Sequence, residues 1–150
     1  MVLVAGVGVT EPSSRTDFPA LRTITTRWDD EDVYGHVNNV VYYSFFDTAV
    51  NGYLIDTTGV DIRELGAVGL VAETQCKFHR ELRFPTDVQV GLAVSKLGTS
   101  SIAYHLGLFQ GESDEPAAIG RFVHVYVDAK TREVVPIPEA IKDAVTPLVF

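Results

Sequence analysis

Between Val40 and Ile55 the chain carries a run with helical character that is apolar on almost every side. Val40, Val41, Tyr42, Tyr43, Phe45, Phe46, Ala49, Val50, Tyr53, Leu54 and Ile55 leave Ser44, Asp47 and Asn51 as one narrow polar stripe at spacings of three and four. A helix with so little polar surface must be buried by something that surrounds it. Asn38 or Asn39 is placed to cap its N-terminus. Gly52 inside it costs about 1 kcal/mol of helix propensity, which predicts a close contact there.

The surrounding material reads as strands. Alternating segments lie near residues 21–28, 68–80, 87–97, 101–110 and 118–128. Breaks fall at Pro85-Thr86-Asp87, at Gly98-Thr99-Ser100 and from Gly111 to Pro116. Leu70, Ala72, Thr74, Cys76 and Phe78 share one face of their strand, with Glu73, Gln75, Lys77 and His79 on the other. Short connections predict that the last four strands form an antiparallel meander. The order of strand, buried helix and four strands predicts an α+β domain over residues 21–150, a curved antiparallel sheet wrapped round one helix, preceded by a flexible arm over 1–20. Such a sheet has a bare outer face and two open edges, so a second copy is expected to cover them, giving at least a homodimer and, as a larger assembly, a homotetramer.

Charge narrows the partners. There are 20 acidic and 12 basic residues, a formal net charge of −8. That balance disfavours nucleic acid and anionic membrane. Cys76 is the one cysteine, so no disulfide forms within the chain, and no Cys/His cluster suits structural zinc. Met1–Val9 is apolar but short for a signal peptide and has no basic residue before it. No run approaches 18 apolar residues. The expectation is a soluble cytoplasmic protein without a metal site.

The segment Asp29 to Asn39 stands apart. Four consecutive acids, Asp29, Asp30, Glu31 and Asp32, are followed by Gly35, His36, Asn38 and Asn39, directly before the apolar helix. A helix N-terminus presents unpaired N–H groups that can hold a developing oxyanion. Gly35 allows close approach of backbone to a ligand. A carboxylate, an imidazole, carboxamides and an oxyanion site within a dozen residues suit acyl transfer or hydrolysis. The same residues also fit a solvated acidic loop followed by an ordinary cap.

The stretch Arg27-Trp28-Asp29-Asp30-Glu31-Asp32-Val33-Tyr34-Gly35-His36-Val37-Asn38-Asn39-Val40-Val41-Tyr42 resembles the signature of hot-dog fold acyl-CoA thioesterases, most nearly the 4-hydroxybenzoyl-CoA thioesterase-like group. The likeness runs over about residues 20–145, including Val123-His124-Val125-Tyr126-Val127-Asp128 and Pro136-Ile137-Pro138. It implies hydrolysis of an acyl-CoA, with coenzyme A as part of the substrate and no separate cofactor. Asp32 matches the family's catalytic aspartate, as nucleophile or as general base for water. Asn39 matches the position whose backbone N–H points at the thioester oxygen. His36 matches the motif, either acting on the chemistry or orienting the loop. In plant acyl-carrier-protein thioesterases an asparagine stands where this chain has Tyr34. Gly35, Asn38 and Tyr42 are the implied substrate-binding residues beside the helix. The turn that is basic in some relatives is here Gly98-Thr99-Ser100-Ser101, so Ser100 and Ser101 are the implied phosphate contacts, with Lys77, Arg80, Arg83 and Arg121 as other cations. Glu73 stands where a different hot-dog branch carries a catalytic glutamate; with Asp32 present it reads as a lesser candidate or a simple surface acid. His79, His105 and His124 read as structural or exposed. The rival activities are a hot-dog hydratase or dehydratase and a non-catalytic acyl-CoA-binding protein.

Overall fold

The computed structural model describes residues 10–150; the expectations for Met1–Val9 lie outside them. Strand β1 (Ala20–Ile24) is followed by helix α1 (Asn39–Thr58), β2 (Ala67–Phe78), β3 (Val88–Leu97), β4 (Ser101–Gln110), β5 (Ala118–Asp128) and a short helix α2 (Glu139–Val145). All pairings are antiparallel, in the order β1-β3-β4-β5-β2. The helix lies along the inner face of the sheet. This is the α+β hot-dog arrangement that the sequence pattern and the resemblance imply.

The expected four-strand meander is corrected. Only β3, β4 and β5 run as consecutive neighbours; β2 pairs with β5, and the chain between β2 and β3 passes to the other side of the sheet. A connection of nine residues looks like a hairpin loop by length alone. It does not form one because Val37 and Glu31 hold it from the other side, by Val37 N–H to Leu82 O at 2.8 Å and Phe84 N–H to Glu31 Oε1 at 2.8 Å. The expected face of β2 is corrected as well. The register with β5 shifts between Val71 and Glu73, so Ala72 is the extra residue of a bulge and the alternation breaks there. The first strand is shorter than 21–28, because the backbone leaves the sheet after Ile24 and makes a 3₁₀ turn at Trp28–Asp30.

Helix α1 starts at Asn38, whose side chain accepts from the Val40 N–H at 3.2 Å, and ends at Gly59 with φ +71°. Phe45, Phe46, Ala49, Val50 and Leu54 are buried against the sheet, and Tyr53 donates to Ala144 O of α2 at 2.7 Å. Two residues of the polar stripe, Ser44 and Asp47, are exposed, as are Val40 and Ile55, and the third, Asn51, is half-buried. Within one chain the helix is therefore covered on its sheet side and open on the other. The close contact at Gly52 is real, since a Cβ there would stand 2.7 Å from the Arg22 guanidinium, which bridges to Asp56. Phe46 fills the space above Gly120 so closely that any side chain at 120 would overlap its ring. Gly120→Val should lower unfolding free energy by about 1–3 kcal/mol, read from urea denaturation, because the aromatic ring must leave its place.

The outer face of the sheet is less bare than expected. Gly91 and Gly107 are cross-strand partners, and the Phe18 ring lies in the trough they leave. His105 stacks on Phe18 and meets Phe150 edge-on; its Nε2 pairs with Pro12 O at 2.6 Å. Arg15 reaches Gln89 and the 111–113 loop. Residues 11–18 and the C-terminus thus cover part of that face.

His124 is buried, and burial pushes its imidazole down to about 4, opposed weakly by Asp47. The unfolded chain binds this proton near 6.5, so stability falls as pH drops from 6.5 toward 4 and is not regained below. The loss should be about 3 kcal/mol at most, and His124→Gln should flatten the curve in that window.

Candidate active site

The 29–39 segment folds into a tight loop ahead of α1. Gly35 N–H donates to Asp32 O and Asp32 N–H to His36 O, both at 3.1 Å, and Glu31 and Val37 form a bridge. Gly35 has φ +81°, which only glycine adopts without strain. The four acids part company here. Asp30 turns inward, 2% exposed, and accepts from the Arg27 N–H at 2.7 Å and from its guanidinium at 3.2 Å. Glu31 holds the Phe84 N–H. Asp29 is exposed. Asp32 is half-buried; its Oδ1 accepts from Tyr34 N–H at 2.9 Å. In sequence the four carboxylates look alike. The buried role of Asp30 escaped the sequence reading, although Arg27 three residues earlier is an ion-pair partner at a spacing that could have marked it.

At the start of α1 the N–H groups are almost all accounted for. Asn38 N–H donates to Asp30 O at 2.9 Å, Val40 N–H to Asn38 Oδ1, and Val41 N–H to Asn38 O at 2.9 Å. The Asn39 N–H has no acceptor among the described residues. Asn39 is one of the residues that wall a cavity of about 350 Å³, with His36, Val37, Tyr42, Phe78, His79, Arg80 and Glu81. A free, dipole-aligned N–H at such a place suits a developing negative charge.

The expected residues are brought together in part. His36, Asn39 and Tyr42 share the cavity wall; Asn38 serves as the helix cap, and Gly35 accepts from the Arg83 guanidinium at 3.3 Å. His36 faces Glu81, with Nε2 to Oε1 at 3.8 Å, and stacks with Tyr34 at 6.4 Å. Tyr42 is spent on structure: its hydroxyl donates to Arg80 O at 3.3 Å and accepts from Leu82 N–H at 3.2 Å, and burial raises its phenol. Asp32 sits on the adjoining turn rather than on the cavity wall of its own chain. Ser100 and Ser101 do not share this cavity; Ser100 O holds Tyr126 N–H in the β3–β4 turn. Of the cations, Arg80 lines the cavity and pairs with Glu115, Arg83 stands at the loop and pairs with Glu81 at 3.0 Å, and Arg121 lies away from it, paired with Glu73 at 3.2 Å. Cys76 packs against the core, and burial raises its thiol to about 11. No group of three or more His, Cys, Asp or Glu residues suited to a metal ion occurs among the described residues.

Residues 26–145, which hold this loop, the helix and the whole sheet from β2 onward, match the thioesterase-like superfamily. The chain belongs to that superfamily. The PA5185 protein of Pseudomonas aeruginosa strain PAO1 superposes with a TM-score of 0.88 at 44% identity, covering 91% of this chain and 96% of that one. A thioesterase of Thermus thermophilus, solved with coenzyme A and Zn, is similar at 30% identity and a TM-score of 0.72, covering 87% and 94%. The YsmA protein of Bacillus subtilis (strain 168) is 24% identical over 121 residues, 81% of each chain. In this thioesterase-like chain the loop and the helix start therefore lie within the region that defines the family. No helix among the described residues is long and apolar enough to cross a membrane.

Proposed function

We propose that the protein hydrolyses an acyl-CoA thioester to the free acid and coenzyme A. The observation that carries this reading is the unpaired N–H of Asn39 at the head of α1, a residue that lines a cavity beside the Asp32 turn. The thioester carbonyl lies with its oxygen toward that N–H, where the charge of the tetrahedral intermediate is stabilised. Asp32 supplies the carboxylate, with Oδ1 anchored by Tyr34 N–H and Oδ2 left to act on the carbonyl or on water. Arg80, paired with Glu115, and Arg83, paired with Glu81, are the cations at the cavity, and either would take a phosphate by exchanging its carboxylate partner. The Thermus relative solved with coenzyme A is consistent with that ligand class.

The active unit is a homodimer. β2 is an edge strand of 12 residues whose middle, Leu70 to Gln75, is exposed, with Leu70, Val71 and Phe78 each about half exposed. A long apolar edge is a template for another strand, and a second β2 is the partner of matching length. Antiparallel pairing over the full length sets residue 67 against residue 78 of the partner, and Val71 against its Thr74. Trp28, Val33, Tyr34 and Val40 form an exposed apolar rim around the Asp32 turn, which ligand or partner covers.

Following thiol release and enoyl-CoA hydration in parallel tests the reaction class. Thiol release without hydration is the expected result. Hydration without thiol release would replace hydrolysis with the hydratase reading, and tight binding without either reaction would leave an acyl-CoA-binding protein.

A further inference from the structure

Beneath the second half of α1, a pocket of about 120 Å³ lies between Asn51, Ile62, Ala67, Gly69, His124 and Tyr126. Gly69 has an ordinary strand backbone, so conformation does not call for glycine there. Space does: a Cβ at 69 would stand 3.1 Å from His124 Nδ1 and 3.2 Å from the Tyr126 hydroxyl. Both polar atoms converge on the volume that the missing side chain leaves. His124 is 2% exposed and its Nδ1 has no partner, a state that costs on the order of 1–3 kcal/mol. The ring is walled by Tyr104 and Phe122, so it has no route to bulk water on that side. A glycine that weakens a strand and an imidazole left unsatisfied are together unfavourable for folding, and they make sense as room and hydrogen bonding for a ligand.

The pocket shares no lining residue with the cavity of its own chain. Gly69 and Phe78 are nine residues apart on β2, about 30 Å of strand. Pairing of β2 with a second β2 removes that distance, because it brings Gly69 of one copy beside the end of the partner's strand, where the partner's cavity begins. We infer that the Gly69–His124–Tyr126 niche is a specificity subsite that receives the far end of the acyl group bound at the partner's helix start, and that it selects an uncharged hydrogen-bonding substituent, a hydroxyl or a carbonyl. This rests on the thioesterase and dimer readings above. The imidazole is neutral at pH 7, so it offers one lone pair or one N–H and no charge, and a carboxylate or ammonium is excluded by the cost of burial. A purely hydrocarbon end would leave Nδ1 unsatisfied.

The test compares ω-hydroxyacyl-CoAs with unsubstituted acyl-CoAs of the same length, as kcat/KM for thiol release. At one length the wild type should favour the hydroxylated substrate by on the order of 10–100-fold, and His124→Phe or Gly69→Ala should bring the ratio near one. A hybrid dimer of one Asp32→Asn copy and one His124→Phe copy should keep the wild-type ratio, since its intact Asp32 faces the intact niche across the interface. Loss of the ratio in the hybrid would place the niche in the same chain and overturn the assignment. Independently of turnover and of how the niche variants fold, the ¹⁵N resonance of His124 Nδ1 in the Asp32→Asn protein should move with that hydroxyacyl-CoA and not with its unsubstituted match. An unmoved resonance, or a preference that survives both niche variants, leaves a pocket holding water only and overturns the proposal. A resonance that moves while wild-type protein releases no thiol from any acyl-CoA would sink the thioesterase reading and leave the niche standing.

Discussion

Asp32→Asn should lower kcat for thioester hydrolysis by on the order of 10²–10⁴, with little change in KM. The substitution is well matched to the geometry. Oδ1 of Asp32 accepts the Tyr34 N–H, and a carboxamide oxygen in the same place keeps that bond. Gly35 and His36 continue to close the turn through backbone groups alone. What is lost is the negative charge and with it both roles open to the residue, attack on the carbonyl and removal of a proton from water. The melting temperature and the oligomeric state should stay at wild-type values. The neighbouring Asp30→Asn should behave in the opposite way. Its carboxylate is buried on the Arg27 N–H and guanidinium, so its loss is read in stability before activity. Equal turnover in the Asp32 variant and the wild type would remove Asp32 from the chemistry.

A second large effect is expected at the edge of β2. Val71→Lys combined with Thr74→Lys sets like charges opposite one another when two copies pair in the full-length register. Charged residues on an edge strand block this kind of association. Sedimentation should then show a monomer. Thiol release should fall at least 10-fold, because the exposed rim around the turn and the partner's pocket are no longer brought to the helix start. The fold itself should survive, since neither side chain is buried in the single chain. A monomer with undiminished activity would mean that one chain holds the complete site.

How much of this could be seen in the sequence depends on the range of the interaction. The central helix and the three strands β3, β4 and β5 were legible because their periodicity is local and burial follows it. A cap at Asn38 or Asn39, which the structure resolves to Asn38, and the close contact at Gly52 were legible for the same reason. The place of β2 at the far edge was not, because it is decided by which strand β5 accepts, a non-local choice that loop length does not encode. The bulge at Ala72 was hidden because an extra residue is defined only against its partner strand. Within the motif, Asp29 to Asp32 carry the same charge, and only the surrounding bonds separate the buried Asp30 from the half-buried Asp32. His124 could have been found. It alternates with Phe122 and Tyr126, so a strand that turns those two inward turns His124 inward as well. Reading it as structural or exposed left out its unpaired nitrogen, which depends on what Gly69 omits on the neighbouring strand.

The central claim is that the free N–H at the start of α1 and the Asp32 carboxylate together cleave an acyl-CoA. The measurement that addresses it most directly is thiol release by the purified wild-type protein across a panel of short, long and aromatic acyl-CoAs. The account predicts saturable release of coenzyme A from at least one of them, at a rate that Asp32→Asn reduces by on the order of 100-fold or more. Release no faster than spontaneous hydrolysis across the whole panel would contradict it.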